Sequence, residues 1–270
     1  RQRVGGISDR KLAANAAAGA DFRVVNVFAR SIYAGNRTCV CFPPVGADDT
    51  WMGKVAVEMA QPTTSFVDIG AMAFRTFSAD GSELPILSGH SSLGVLAATM
   101  ERLGERRPSP PPDALRFSSK YGAVHMACDG AFYELRLPIG TRASIALTEA
   151  APLRRALGVP DIAAVLNHGS VLGGKFLFCE LTPAAFATFT PDVAAIRAMP
   201  GLIGVFVTAA GMPMAHEACA DPDQVDFSVR NLVPSLGIQE DVATGSIQAF
   251  LNPYWRGRLS KPPETPLYAW

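Results

Sequence analysis

Charge is scarce in this chain. Of 270 residues only 18% are charged, and 24 Lys and Arg are matched by 24 Asp and Glu. With no basic field to hold a phosphate backbone, the composition argues against a nucleic-acid binder. Long apolar runs are also missing. The longest, Ile162–Leu166 and Leu202–Ala210, fall short of the roughly 18 to 20 residues a spanning helix needs, so no membrane partner is expected. Five cysteines (Cys39, Cys41, Cys128, Cys179, Cys219) make an odd, scattered set without Cys-x-x-Cys spacing. They read as reduced, mostly buried thiols of a cytoplasmic protein. His125, His168 and His216 stand apart with no His-x-x-x-His pair, so no metal is expected. The glycines at 169, 173 and 174 form no GxGxxG, and no Walker lysine is present, so nucleotide binding is not supported.

What is present is enough hydrophobic residue, 49% of the chain, for one large domain or two smaller ones. Residues 1–20 lack the apolar centre of a secretion signal and read as a loosely ordered leader. Phe22–Phe28 and Thr38–Phe42 read as neighbouring strands around the Gly35-Asn36 turn. Asp48 and Asp49 sit where N-caps belong, ahead of Trp51, Val55 and Met59 at helical spacing, with Pro62 closing the helix. Thr64–Asp68 and Ala73–Ser78 are strand-like. After Ser88-Gly89-His90 the spacing of Leu93, Leu96, Met100 and Leu103 predicts an amphipathic helix that Gly104 ends. Trp51, Phe66 and Phe74 have core-like spacing.

Four prolines in the eight residues Arg106–Asp113 break any ladder, and a linker or long surface loop is expected there. It divides an N-terminal lobe, 21–113, from a C-terminal lobe, 114–270, whose last segment is expected to return to the first lobe. The second half repeats the grammar: strands at 114–118, 123–128, 132–137, 163–167 and 175–181, and helices at 151–157 and 192–199. Arg75 in a strand precedes His90 at a helix start by 15 residues, and Arg230 precedes Gly245 by the same 15, which suggests internal duplication.

Both of those helix starts carry polar, glycine-containing runs: Leu87-Ser88-Gly89-His90-Ser91-Ser92, and Glu240-Asp241-Val242-Ala243-Thr244-Gly245-Ser246. The first turn of a helix leaves N–H donors unsatisfied, and the peptide dipoles add positive charge, so two such ends can hold a carboxylate without Lys or Arg. The same serines and aspartate also read as ordinary N-caps. Arg37 reads as a turn residue that could face an anion, and His216, Glu217 and Cys219 as a polar loop.

Glu83-Leu84-Pro85-x-x-x-Gly89-His90 and the EDxATGS block, with Gly35-Asn36 and Thr64-Ser65-Phe66-Val67, resemble the phenazine-biosynthesis PhzF-like family over about Phe22 to Leu251. The resemblance implies the diaminopimelate epimerase-type fold, α+β, with two similar lobes each a curved sheet around a central helix. It implies one site in the cleft between them, usually a homodimer, and proton-shift chemistry on a small carboxylic acid with no cofactor. It places His90 and Asp241 beside the reacting atoms and Gly245 and Ser246 on the substrate carboxylate, with Gly89, Ser91, Thr244 and Gln61 as further substrate contacts. Family members usually carry a proton-moving glutamate where this chain has Thr63, in Gln61-Pro62-Thr63-Thr64-Ser65. A threonine hydroxyl is no general base near neutral pH. His90 is the leading replacement, with Asp241 as partner, because imidazole titrates near pH 7. Ser91 and Val242 also replace prolines frequent in the family, and the chain ends at Pro266–Trp270, where relatives continue through another strand. Two readings follow: an isomerase that moves a proton or double bond in a small unsaturated acid, such as a pyrroline-type acid of antibiotic pathways, or a binding protein that lost its chemistry with the glutamate.

Overall fold

The computed structural model describes residues 20–29, 35–106, 114–129, 132–137, 142–144, 150–168, 175–213 and 222–269. They divide into two compact units, one of Arg1–Leu84 and Ser88–Arg136, the other of Pro85–Leu87 and Leu137–Trp270.

In the first unit, β1 (Asp21–Val27), β2 (Asn36–Phe42), β3 (Thr63–Asp68), β4 (Ala73–Ser78), β5 (Ala114–Ser119), β6 (Gly122–Asp129) and β7 (Phe132–Arg136) form one sheet in chain order. β2–β3 and β4–β5 are parallel and the other pairs antiparallel. Helix α1 (Asp49–Met59) makes the first parallel crossover and α2 (Gly89–Arg106) precedes β5. Asp48 caps α1 by accepting from the Trp51 amide at 2.8 Å, and Ala60 ends it in the left-handed conformation. α2 runs past Gly104 to Arg106, so that glycine lies inside the helix and does not end it. A lone glycine in a helix is a cost that packing can offset, and α2 has packing on several strands.

The sheet curls: α2 packs on β1, β2 and β3 and also on β6 and β7, so both edges of the sheet reach the same helix. Strand alternation assigns the two faces. Cys41, Phe66 and Phe77 pack with Ala56, Trp51, Met52 and Val55 of α1, where Trp51–Phe66 and Phe66–Phe77 meet edge to face. Thr38, Val40, Thr63 and Ser65 point the other way, toward α2. A Cβ at Gly94 would fall 2.4 Å from Thr38 Cγ2, so glycine is what lets α2 lie this close to β2.

The expected boundary at 113 moves. β5 pairs with β4 through Ala73 and Ser118, and the first unit continues to Arg136. Proline marks where a ladder must stop, and here it joins a helix and a strand of one unit.

The second sheet has the order β13-β12-β11-β10-β9-β8, built from β8 (Arg142–Ser144), β9 (Ala164–His168), β10 (Lys175–Glu180), β11 (Leu202–Ala210), β12 (Phe227–Val233) and β13 (Ile238–Asp241). Helices α3 (Ala151–Leu157), α4 (Pro183–Thr188) and α5 (Val193–Arg197) cover one face with Leu153, Leu157, Phe186 and Ile196 against Cys179, Val205, Val207 and Leu232. Helix α6 (Gln248–Arg258) lies on the other. Phe250 meets Phe178, Trp255 stacks on Phe227 at 5.6 Å, and Trp255 Nε1 donates to Thr208 Oγ1 at 2.9 Å. Burial on both faces is why β10 and β11 read as near-continuous apolar runs.

The duplication has a topological basis. An antiparallel pair, a parallel crossover, an antiparallel pair and a helix occur as β1-β2-α1-β3-β4-α2, and again as β9-β10-(α4, α5)-β11-β12-α6 with β13 inserted. The C-terminal segment joins the second unit, not the first. Ala269 bridges Phe227 in parallel and the Asp226 amide donates to the Tyr268 carbonyl at 2.9 Å. Among the described residues no helix is long and apolar enough to cross a membrane.

Candidate active site

The first-unit residues meet at the start of α2. Thr63 lies at the first position of β3, on the face that looks at α2, and His90 is the second residue of that helix. Thr63 Oγ1 is 3.0 Å from His90 Nε2 and 2.7 Å from Ser91 Oγ. Ser91 Oγ is 2.7 Å from Ser88 Oγ, which lies 3.2 Å from His90 Nδ1. These four contacts close a ring: imidazole, Thr63, Ser91, Ser88 and back to the imidazole. Thr38 Oγ1 adds a 2.8 Å contact to Thr63 from β2. All five residues are buried, His90 at 6% exposure and Thr63 at 3%.

Such a ring has chemical consequences. A hydroxyl donates one hydrogen bond and accepts others, and its rotation is free to follow its neighbours. If Nε2 carries the proton, it donates to Thr63, and Ser88 donates to Nδ1; reversing every hydroxyl serves the other tautomer. If both nitrogens are protonated, Thr63 and Ser88 both accept. All three states of His90 therefore keep both contacts, which in a buried site avoids an unsatisfied polar group.

The N-cap reading of Ser88 holds alongside this role. Its Oγ accepts from the Ser91 amide at 3.4 Å, and its carbonyl from the Ser92 amide at 3.0 Å. Neither Ser88 nor Thr38 stood out as a site residue in the sequence, the first because serine there reads as a cap, the second because threonine reads as a strand former. Gly89 opens α2. Gln61 is oriented by its own chain: Nε2 donates to the Met59 carbonyl at 3.2 Å, while Oε1 is buried with no partner.

In the second unit, Asp241 ends β13, and its Oδ2 accepts from Thr244 Oγ1. Thr244 precedes a 3-10 turn, Gly245–Ile247, that runs directly into α6. The expected α-helix start at Gly245 is thus one tight turn, with the α-helix beginning at Gln248. Ser246 does not act as a cap. Its Oγ is buried, at 1% residue exposure, with no hydrogen-bond partner.

Arginines anchor both regions. Arg75 on β4 donates to Glu83 at 2.7 Å and Asp49 at 2.5 Å; Arg230 on β12 holds Glu240 through two bonds of 2.6 and 2.7 Å. Each thereby ties a strand to the segment that leads into its polar cluster. Hydrogen bonds donated to the two carboxylates raise the Arg75 pKa, and those donated to Glu240 raise that of Arg230. Burial pushes Glu83 up, but the Arg75 bond and charge, with Lys120, leave it below its ordinary value.

Other residues singled out in the sequence do not join these clusters. Arg37 and His125 are exposed on β2 and β6. Burial raises the Cys39 thiol to about 11 and the Cys41 thiol to about 12, which makes them poor nucleophiles at neutral pH. His216, Glu217, Cys219 and the glycines between 169 and 174 lie outside the described residues, as does the His168 side chain.

The two sheets with their covering helices define an α+β fold. Residues 25–267 match the family described as Phenazine biosynthesis-like protein, and the chain belongs to that family. Two Pseudomonas aeruginosa proteins named as uncharacterized isomerases are 29% and 30% identical, over 89% and 88% of this chain and 83% and 82% of their own. A crystal structure of a PhzF-family protein from Enterococcus faecalis superposes with a TM-score of 0.69 at 28% identity, covering 88% of this chain and 83% of that one.

Proposed function

We propose that the protein is a cofactor-independent isomerase that moves a proton, and with it a double bond, in a small unsaturated carboxylic acid. The observation that carries this reading is the 3.0 Å contact between Thr63 Oγ1 and His90 Nε2. Thr63 stands where the family has its glutamate, and here that position is wired to an imidazole. Thr63 then acts as a relay and not as a base. It takes a proton from a carbon next to the conjugated system while passing its own hydroxyl proton to Nε2, as a serine hydroxyl does beside a histidine base. The electron pair left on carbon spreads toward the carboxylate, and return of a proton at another carbon completes the shift with no change in formula. General acid–base assistance of this kind contributes about 10²- to 10⁴-fold.

Asp241, Thr244, Gly245 and Ser246 keep the part the resemblance gives them: Asp241 as partner acid, the others as donors for the carboxylate, whose developing charge preorganised donors stabilise. The isomerase names of the relatives support the reaction class. A substrate already conjugated, such as a pyrroline-type acid, needs only a modest base, which fits the loss of the glutamate.

The test is incubation of pyrroline- and cyclohexadiene-carboxylic acids with the protein in deuterated buffer, followed by NMR. Solvent deuterium should enter a carbon position, and Thr63→Val should slow its entry. Tight binding of an acid with neither exchange nor double-bond migration would favour the non-catalytic binder.

A further inference from the structure

The second unit holds two buried polar side-chain atoms without partners among its described residues. Asn231, in the middle of β12, is 2% exposed, and its Oδ1 has no hydrogen-bond partner; Ser246 Oγ is the other. Strand alternation fixes where Asn231 points. Leu232 packs with α3, α4 and α5, and Arg230 stacks on Phe189 at 4.3 Å on that same face. Phe227, an even number of residues from Asn231, stacks on Trp255 of α6. Asn231 therefore faces the side on which α6 lies.

A register shift completes the arrangement. Val233 pairs with Ile238, yet Asn231 pairs with Asp241, one residue further along β13 than a regular ladder gives. The extra residue reverses which acid faces which side. Glu240 goes to Arg230, and Asp241 comes directly across from Asn231, where cross-strand neighbours share a face. Asp241 is tied through Thr244 to the turn holding Ser246. Asn231 and Asp241 are thus cross-strand neighbours, and Ser246 follows Asp241 by five residues in the same chain segment.

From this geometry we infer that Asn231 is a specificity residue whose Oδ1 receives an N–H of the ligand, so the acid this protein takes bears a ring or chain N–H. The inference rests on the isomerase reading only for the identity of the site. An amide oxygen only accepts, so a carboxylate or ether oxygen cannot satisfy it. The adjacent Asp241 carboxylate favours the same partner, because an N–H bound to an unsaturated or protonated system carries positive charge toward it. Ser246 Oγ supplies the complementary donor for the acid group.

Pyrrole-2-carboxylic acid and furan-2-carboxylic acid differ in this one atom, N–H against O, and calorimetry or ligand-observed NMR reads their binding directly. A site built around an N–H should prefer the pyrrole by about tenfold or more. Asn231→Leu, of similar shape, should abolish the preference and raise the thermal midpoint, because it removes an unsatisfied buried acceptor. Asn231→Asp keeps an acceptor and should keep the preference. Equal binding of both acids by the wild-type protein, a preference that survives Asn231→Leu, or a fall in midpoint with no change in preference would each overturn the inference. Neither acid binding would overturn it too. Deuterium exchange by the wild-type protein, measured separately, shows whether the isomerase reading stands in any of these cases.

Discussion

The two units repeat one plan, but the serines at the start of their last helices differ: one set is hydrogen-bonded and the other is not. In the first, His90, Thr63, Ser91 and Ser88 satisfy one another in a closed ring. In the second, Ser246 Oγ and Asn231 Oδ1 are buried and unmatched. A saturated ring is a device for holding and passing protons with little movement. Unmatched buried groups each cost about 1–3 kcal/mol, and a ligand that matches them recovers that free energy. The contrast separates a cluster whose hydroxyls satisfy one another from a hydroxyl and an amide oxygen that a ligand could satisfy.

The largest effect should come from His90→Asn. Loss of the imidazole from the ring should lower turnover by about 10²- to 10⁴-fold, read as kcat on an acid that exchanges deuterium. Thr63→Val comes next. It leaves Nε2, Ser91 and Thr38 short of a partner in a buried site, and should lower unfolding free energy by about 1–3 kcal/mol in denaturant titration, with turnover falling as well. Ser246→Ala sharpens the contrast from the other side. Removing an already unmatched hydroxyl should not lower stability and should raise it by up to about 1–3 kcal/mol, while KM rises roughly tenfold and kcat changes little.

The smallest effect concerns acid. Glu83 lies below its ordinary pKa of 4.5 and Asp49 below 3.8, both held down by Arg75. A depressed carboxylate adds stability that is fully present above its unfolded value and is lost as pH falls through the folded one. Arg75→Met should therefore flatten the decline in stability below about pH 4.5, where the exposed Arg75–Glu83 pair is worth less than about 1 kcal/mol. An acid limb unchanged by the substitution would assign that decline to other carboxylates.

Much of this was legible in the chain because local rules acted alone. The Asp48 cap, the alternating runs of β3 and β4, and the helix after Ser88 depend on neighbours within a few residues, and their positions hold within one or two. The resemblance marked Thr63 and His90 as candidate site residues, and the structure brings their side chains within 3.0 Å. What was hidden depended on pairing. Ser88 looked like a cap and is one, but only the packing of α2 on β2 and β3 turns it into a ring member. Asn231 sits in the run FSVRNLV with nothing to mark it, because its meaning comes from the register shift that places Asp241 opposite. The boundary at 113 failed for a related reason: prolines report the end of a ladder, while unit membership is set by the β4–β5 pairing beyond them.

The most direct test compares Thr63→Val with Ser246→Ala for thermal unfolding and for binding of pyrrole-2-carboxylic acid. Thr63→Val should unfold roughly 2–12 °C lower, on the size scaling of about 2–4 °C per kcal/mol, and bind the acid within about twofold of the wild type. Ser246→Ala should unfold no lower than the wild type and bind about tenfold more weakly. The opposite pattern, a stable Thr63→Val and a Ser246→Ala that unfolds early with its affinity intact, would contradict the division of labour between the two clusters.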